Sequence, residues 1–498
     1  MRRQQAHEGR VEIGAVRRVE SHECQPYAAS RPNPGNRLGT MRGVTRIVVV
    51  GGGPGGYEAA LVAARLGAEV TVVDRDGLGG SAVLTDCVPS KTLIASADAA
   101  GAAGASGLGV ALSDPTVHLG RINARVLELA RQQSTDIATR LRAAGVRVIR
   151  GHGRLDGPSA VLADVEDDTQ RLSADAILIA TGAHPRVLAE APPDGERIMT
   201  WTQVYDLAEL PEHLVVVGSG VTGAEFADAY HRLGARVTLV SSRDRVLPGE
   251  DADAAAVLEA AFTRRGMTVL SRSRAAGVTR VGDGVQVTLT DGRVVEGSHC
   301  LMAVGSVPNT AGLGLAEAGV RCTEAGFVDV DRVSRTSARG VYAAGDCTGV
   351  LMLASVAAQQ GRIAMQHALG DAVRPLDLHT VAANVFTEPE IATVGWTQDA
   401  VERGEIPART VTLPLSTNPR AKMQGVRDGF VKLYCRPGTG IVIGGVVVAP
   451  RASELIFPIS LAVDGQLSVD QIAHAFTVYP SMSGSVAEAA RLLHLPPD

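Results

Sequence analysis

Aromatic residues make up only 3% of the 498-residue chain, with Trp at just two positions. That is too few for the stacking platforms that grip single-stranded nucleic acid. Charge of one sign is missing too. The 48 Lys and Arg nearly balance 53 Asp and Glu, leaving a formal net of -5 that attracts neither phosphate polymers nor anionic lipid. The six cysteines (Cys24, Cys87, Cys300, Cys322, Cys347, Cys435) lie far apart, with no Cys-x-x-Cys and no His-rich cluster. Neither a disulfide framework nor a zinc or other metal site is supported, and a reducing cytoplasm is the expected home. Apolar runs such as Ile441–Pro450 are interrupted by glycine and fall short of the roughly 20 residues a membrane helix needs. Residues 1–40 are rich in Arg, Pro, Gly and Ser and lack the apolar region of a signal peptide, so a disordered extension is expected, with Met41 a second candidate start.

What is abundant is small and apolar: 56 glycines in a chain that is 45% hydrophobic, a composition for helices packed closely on parallel sheets in about three domains. Residues 45–75, TRIVVVGGGPGGYEAALVAARLGAEVTVVDR, read as a buried strand Ile47–Val50, a glycine turn, a helix over Tyr57–Leu66 and a second strand Val70–Val73. Gly51, Gly53 and Gly56 match GxGxxG, and Asp74 ends the second strand about 20 residues on. Glycine lets the backbone turn sharply and approach a pyrophosphate; the helix N-terminus supplies amide donors and a positive dipole; the carboxylate accepts from ribose hydroxyls. Residues 213–243 repeat the unit with Gly218, Gly220 and Gly223, so two dinucleotides are expected in one chain. A third signature, Arg339–Asp346 (RGVYAAGD), reads as a short strand ending in an acid, followed by a helix over Thr348–Ala364.

The order GGGPGG, GGSAVLTDCVPSK, ATGAHPR, VGSGVTGAE, VGSVPNT, VYAAGDCTG and VFTEPEIATVG resembles the flavoprotein disulfide reductases, the family of lipoamide dehydrogenase, glutathione reductase and mercuric reductase, over essentially all of residues 41–498. The resemblance implies an α/β homodimer with two Rossmann-like dinucleotide-binding domains and an α+β C-terminal dimerisation domain. Its parts would be an FAD domain over 41–186 and 310–378, an inserted NAD(P) domain over 187–309, and an interface domain over 379–498. It assigns FAD to the first cradle (Gly51, Gly53, Pro54, Gly55, Gly56), with Asp74 on the adenosine ribose, Ala180, Thr181 and Gly182 alongside, and Asp346 on the ribityl chain. The helix entered through Leu353, Ala354 and Ser355 would point its positive end at the flavin's pyrimidine edge. It assigns NADH or NADPH to Gly218, Gly220, Val221, Gly223, Ser241 and Arg243, and makes Gly305 of VGSVPNT a further cofactor-binding position. Lys91 matches the lysine beside the flavin and Glu225 its ion-pair partner.

The same resemblance shows where the pattern is broken. Disulfide reductases pass electrons from flavin to a Cys-x4-Cys pair; here Cys87 keeps the second cysteine, but Ala82 stands five residues earlier. The interface domain normally supplies His-x-His-Pro-Thr and a glutamate as base and orienter. This chain has Thr477-Val478-Tyr479-Pro480-Ser481 and Gly484. Three losses in one relay exclude disulfide exchange, while both cradles, Lys91, Glu225 and Asp346 remain. The expectation is an NAD(P)H dehydrogenase in which FAD passes two electrons directly to a diffusible acceptor, best a quinone. One flavin-side cysteine with Val-Tyr-Pro-Ser is similar to an actinobacterial, lipoamide-dehydrogenase-like branch of NAD(P)H:quinone reductases. The alternatives are a soluble NAD(P) transhydrogenase or a dihydrolipoamide-dehydrogenase-like diaphorase.

Tyr479 is a candidate hydrogen-bond donor to the acceptor or else an interface packing residue. Cys87, just before Pro89 and a helix expected from Ser90, should have its thiol pKa lowered by the helix dipole. In the run Val240-Ser241-Ser242-Arg243-Asp244 no acid stands at the end of the second strand of the NAD(P) domain itself, and Arg243 is the one cation there, so use of both nicotinamides is expected. Val117–Gly145 should be a helix interrupted near Gln132–Thr135. Asp291-Gly292 should be a hairpin turn, and ASELIFPISLAVDG a helix of the interface domain.

Overall fold

The computed structural model describes residues 44–103 and 116–494; the extension expected over residues 1–40 lies outside them. Strand Arg46–Val50 sits at the centre of a five-stranded parallel sheet, with Glu69–Asp74 and Arg147–Arg150 on one side and Ala176–Ile179 and Val341–Ala343 on the other. Its last four residues are buried on both faces, which is why it reads as unbroken valine and isoleucine rather than as an alternation. The second sheet repeats the plan. His213–Val217 is central, flanked by Arg236–Val240 and Thr268–Leu270, and by His299–Met302 and Ile198–Thr200, all parallel. Residues 382–449 form a third, antiparallel five-stranded sheet covered by the helices Phe457–Asp464 and Gly484–Leu492.

In both parallel sheets the central strand runs through a glycine turn into a 12-residue helix, Pro54–Arg65 and Val221–Arg232. Pro54 at the first helical turn costs nothing there, since its missing N–H would have had no helical partner. The first helix packs on Ala354–Ala368 at backbone contact. A methyl on Gly361 would lie 2.1 Å from the Gly55 carbonyl oxygen, so only glycine permits that crossing.

Several boundaries differ from those read off the chain. The third signature does not run straight into a helix: Asp346–Thr348 is one 3-10 turn, Gly349 sits at φ +65°, and the helix begins only at Ala354. Glycine stops the first turn in the left-handed region, and Val350–Leu353 must cross the sheet end before the helix can start. The helix expected to break at Gln132–Thr135 is continuous over Leu119–Ala143. Its buried stripe passes from Ala130 through half-buried Ser134 to Ile137, and the Thr135 and Thr139 hydroxyls are absorbed by carbonyls one turn back, at 2.9 Å each. The helix after the broken dithiol loop starts at Cys87, three residues before Ser90, because Asp86 O already accepts the Ser90 N–H at 2.7 Å. ASELIFPISLAVDG forms two helices, Ala452–Leu455 and Phe457–Asp464, since Pro458 lacks the N–H that a continuous helix would use. The Asp291-Gly292 hairpin turn is present, with Gly292 at φ +86°.

Candidate functional site

A cleft of about 870 Å³ opens at the carboxyl ends of the first sheet, where α/β sheets bind their ligands. Gly51, Gly53, Pro54, Gly55, Asp74, Ala180, Thr181, Gly182, Asp346 and Ala354 line it, joined by Ala82, Asp86 and Cys87. Two glycines of this turn, Gly51 and Gly56, are there because nothing larger fits. Gly51 sits at φ +104° and a Cβ on it would come within 2.2 Å of the Ala180 carbonyl oxygen; one on Gly56 would come within 1.9 Å of the Gly51 oxygen. Asp74 braces the turn from the next strand, accepting the Gly52 N–H at 2.7 Å and the Gly77 N–H at 2.5 Å. Burial pushes its carboxyl above the usual range, and those two backbone donors pull back against it. Leu353 caps the Ala354–Ala368 helix, whereas Ser355 turns to a separate surface hollow outside this cleft.

The second cradle has the same strained turn. Gly218 is at φ +112° with a Cβ position 2.1 Å from the Ala303 oxygen, and Gly223 would place a methyl 1.8 Å from the Gly218 oxygen. Gly220 and Gly305 face open space, and Val221 opens the helix half-exposed. Ser241 takes the place that Asp74 holds in the first cradle. It is buried, and its hydroxyl is spent on the Ser219 hydroxyl at 2.6 Å and the Arg243 N–H at 3.1 Å. The strand end therefore presents no carboxylate. The segment beyond it carries exposed Arg243 and Asp244 beside exposed Arg272, and the Arg272 N–H donates to the Arg243 oxygen at 2.7 Å. Arg272 was not legible as a neighbour, because strand pairing brings it there from 29 positions downstream.

Between the two cradles Lys91 Nζ donates to Glu225 Oε2 at 2.9 Å. Burial opposes the lysine's charge most strongly, but Glu225, Cys87 and Asp86 together hold the ammonium above its ordinary range. The other oxygen of Glu225 accepts the Phe386 N–H at 2.9 Å, and Lys91 lies 4.9 Å over the Phe386 ring centroid. One turn on, fully buried Asp228 pairs with Arg232 Nε and Arg265 Nη1, each at 2.9 Å, and accepts the Glu388 N–H at 2.9 Å. Phe386, Asp228 and Arg265 were missed in the sequence; the quoted VFTEPE and VGSGVTGAE motifs contain or border two of them, but nothing in their spacing reveals the contact.

The thiol of Cys87 is pushed up to about 12, which corrects the lowered value expected from its place at a helix start. Burial and the neighbouring Asp86 carboxylate overcome the helix dipole and Lys91. Among the described residues all cysteines are free, and Ala82 presents a methyl to the cleft where a second sulfur would be needed. Tyr479 stands on an exposed loop with Phe476 and Val478 and does not line the chain's own cleft. No helix of the described residues is long and apolar enough to cross a membrane.

A family model described as pyridine nucleotide-disulphide oxidoreductase matches residues 45–361, and the dimerisation domain of the same family matches residues 381–490. The chain belongs to the pyridine nucleotide-disulphide oxidoreductases. A relative named NAD(P)H dehydrogenase (quinone) from Mycobacterium tuberculosis is 58% identical over 90% of this chain and 94% of its own length. A dihydrolipoyl dehydrogenase of Chlorobaculum parvum is 35% identical over 89% of the chain and 96% of its own length. The solved structure of LpdA from Mycobacterium tuberculosis superposes with a TM-score of 0.87 at 57% identity, covering 91% of this chain and all of that one. As a pyridine nucleotide-disulphide oxidoreductase the protein is a flavoprotein that uses FAD with NAD(P)H, and its dimerisation domain makes the homodimer its assembly. The first cleft fits FAD: its turn closes only because no Cβ occupies Gly51 or Gly56, and the N-terminus of the helix that follows opens on the cleft as a site for a pyrophosphate.

Asp346 yields a pH prediction. Burial first, and the Asp86 charge second, raise its carboxyl from 3.8 to about 6. Between those values the folded chain keeps a proton that the unfolded chain has lost, so folding stability falls as pH rises through that window. Urea titration of the FAD-depleted dimer should lose on the order of 2–3 kcal/mol between about pH 4 and about pH 6 through this group, and Asp346→Asn should flatten that limb. An unchanged slope in the variant contradicts the assignment.

Proposed function

We propose that the protein is an FAD-dependent NAD(P)H:quinone oxidoreductase, moving two electrons from the nicotinamide through FAD to a quinone without a sulfur relay. The observation that carries this is the pairing of Ala82 with Cys87 across one cleft, beside a Lys91–Glu225 pair that is still closed at 2.9 Å. The donor side keeps its buried charges while the thiol side has lost its partner. Bound FAD supplies the chemistry, taking electrons two at a time and releasing them to acceptors that need no covalent intermediate. Lys91, held in place by Glu225, would supply a fixed positive charge to the bound flavin with little reorganisation. The Mycobacterium tuberculosis relative named as a quinone dehydrogenase supports the same reading.

The interface loop carries Tyr479 outward, 80% exposed, with Phe476 and Val478. In the homodimer this loop completes the partner's cleft, and Tyr479 stands as hydrogen-bond donor to the acceptor oxygen. An acceptor panel tests the proposal. Purified dimer with NADPH should turn over menadione and benzoquinone briskly, with lipoamide, glutathione disulfide and thio-NAD near background. Preferred turnover of lipoamide or of thio-NAD contradicts it.

The exposed Arg243 and Arg272, with no carboxylate at the strand end, suit the 2′-phosphate of NADPH without excluding NADH. Arg272→Ala should raise KM for NADPH about tenfold, in line with losing one charge-assisted contact, and barely move KM for NADH. Equal effects on both nicotinamides would place the phosphate elsewhere.

A further inference from the structure

One acid in the cleft has no part in the hydride path just described. Asp86 lies between the short helix Gly80–Leu84 and the helix that begins at Cys87. Its backbone is fully committed: the N–H donates to Ser81 O at 2.8 Å and the carbonyl accepts from Ser90 N at 2.7 Å. Its side chain is not. The carboxyl lines the cleft together with Cys87 and Asp346 and, among the described residues, accepts no hydrogen bond. Lys91, the nearest cation, is taken by Glu225 at 2.9 Å. A second unmatched group within the electrostatic reach of Asp86 is the buried hydroxyl of Tyr205, which has no hydrogen-bond partner among the described residues.

We propose that Asp86 is the acid that protonates the acceptor, an inference that rests on the quinone reading above. A quinone that receives a hydride equivalent, two electrons and one proton originating in NAD(P)H, still lacks one proton to become a hydroquinone. The Asp86 O–H bond breaks, a quinone oxygen gains the proton as O–H, and the carboxylate left on Asp86 recovers a proton from water at the cleft mouth. No oxidant or reductant beyond the nicotinamide and the quinone is required.

The surroundings keep that proton in place until it is needed. Five titratable groups surround Asp86: Cys87 and Lys91 on the helix that follows it, Glu225 from the Val221–Arg232 helix, Asp346 from the 3-10 turn, and Tyr205 from the turn at Val204–Asp206. Burial raises the carboxyl above the ordinary range, Lys91 draws it down, and Glu225 pushes it up again. Asp86 and Asp346 oppose each other's ionisation, as two acids in one low-dielectric cleft must. The Tyr205 phenol, whose ionisation is opposed by burial and then by Asp86, stays a donor.

The test uses the FAD-loaded dimer with two acceptors. Menadione needs protons, and ferricyanide takes electrons alone. Asp86→Asn should lower the ratio of menadione to ferricyanide turnover about a hundredfold, the usual scale of a lost general acid. Asp86→Glu, which keeps an acid, should recover most of that ratio. Independently of turnover, infrared titration of the oxidised wild-type dimer should show a protonated-carboxyl band that persists above the usual carboxylate range and is absent in Asp86→Asn. If Asp86→Asn holds no FAD, Asp86→Glu and the wild-type infrared titration decide between the outcomes. A ratio unchanged in Asp86→Asn, or no protonated carboxyl assignable to Asp86, overturns the proposal. A wild-type dimer that ignores menadione altogether overturns the quinone reading instead.

Discussion

Glu225 holds three parts of the chain together at one point. One carboxylate oxygen takes Lys91 from the helix behind the first cleft, and the other takes the Phe386 N–H from the edge of the antiparallel sheet, each at 2.9 Å. Because the carboxylate is buried, neither contact is diluted by water, and loss of one partner would leave a charge stranded. Asp228 repeats the device one turn along, gripping the Glu388 N–H and two arginines. The relative placement of the two dinucleotide cradles is thereby tied to the domain that forms the dimer.

That geometry explains which losses the site tolerates. Lys91, Glu225 and Asp228 hold these parts of the chain together, so they cannot be removed without structural cost. The thiol relay carries no such burden. Ala82 fills its place with a methyl, Cys87 is half-buried with a thiol too basic to be a nucleophile near neutral pH, and Gly484 opens a helix instead of orienting a base. Chemistry that ends at the flavin remains, and the freed space suits a flat acceptor.

Much of this was legible because glycine and valine spell out their own geometry. The two cradles, their strands and the acid at Asp74 follow from turns that only glycine can make and from strands buried on both faces. The Lys91–Glu225 contact spans 134 positions and was reached through the family's pattern rather than through spacing. Contacts made by irregular chain stayed hidden. Nothing local shows that Phe386 offers its N–H to Glu225, that strand pairing sets Arg272 against Arg243, or that the Ser241 hydroxyl turns inward. The thiol of Cys87 was misjudged because a helix start was weighed without the depth of burial around it, and desolvation is the larger effect.

Direct transfer from the flavin and a sulfur relay differ in where reducing equivalents reside once the enzyme is loaded with them. Anaerobic titration of the FAD-bound dimer with dithionite, followed by flavin absorbance and by thiol counting, measures this directly. Complete reduction at two electrons per flavin, with no new thiol appearing, is the predicted result. Uptake of four electrons per flavin with two thiols released would place a redox-active disulfide in the molecule and contradict direct transfer from the flavin.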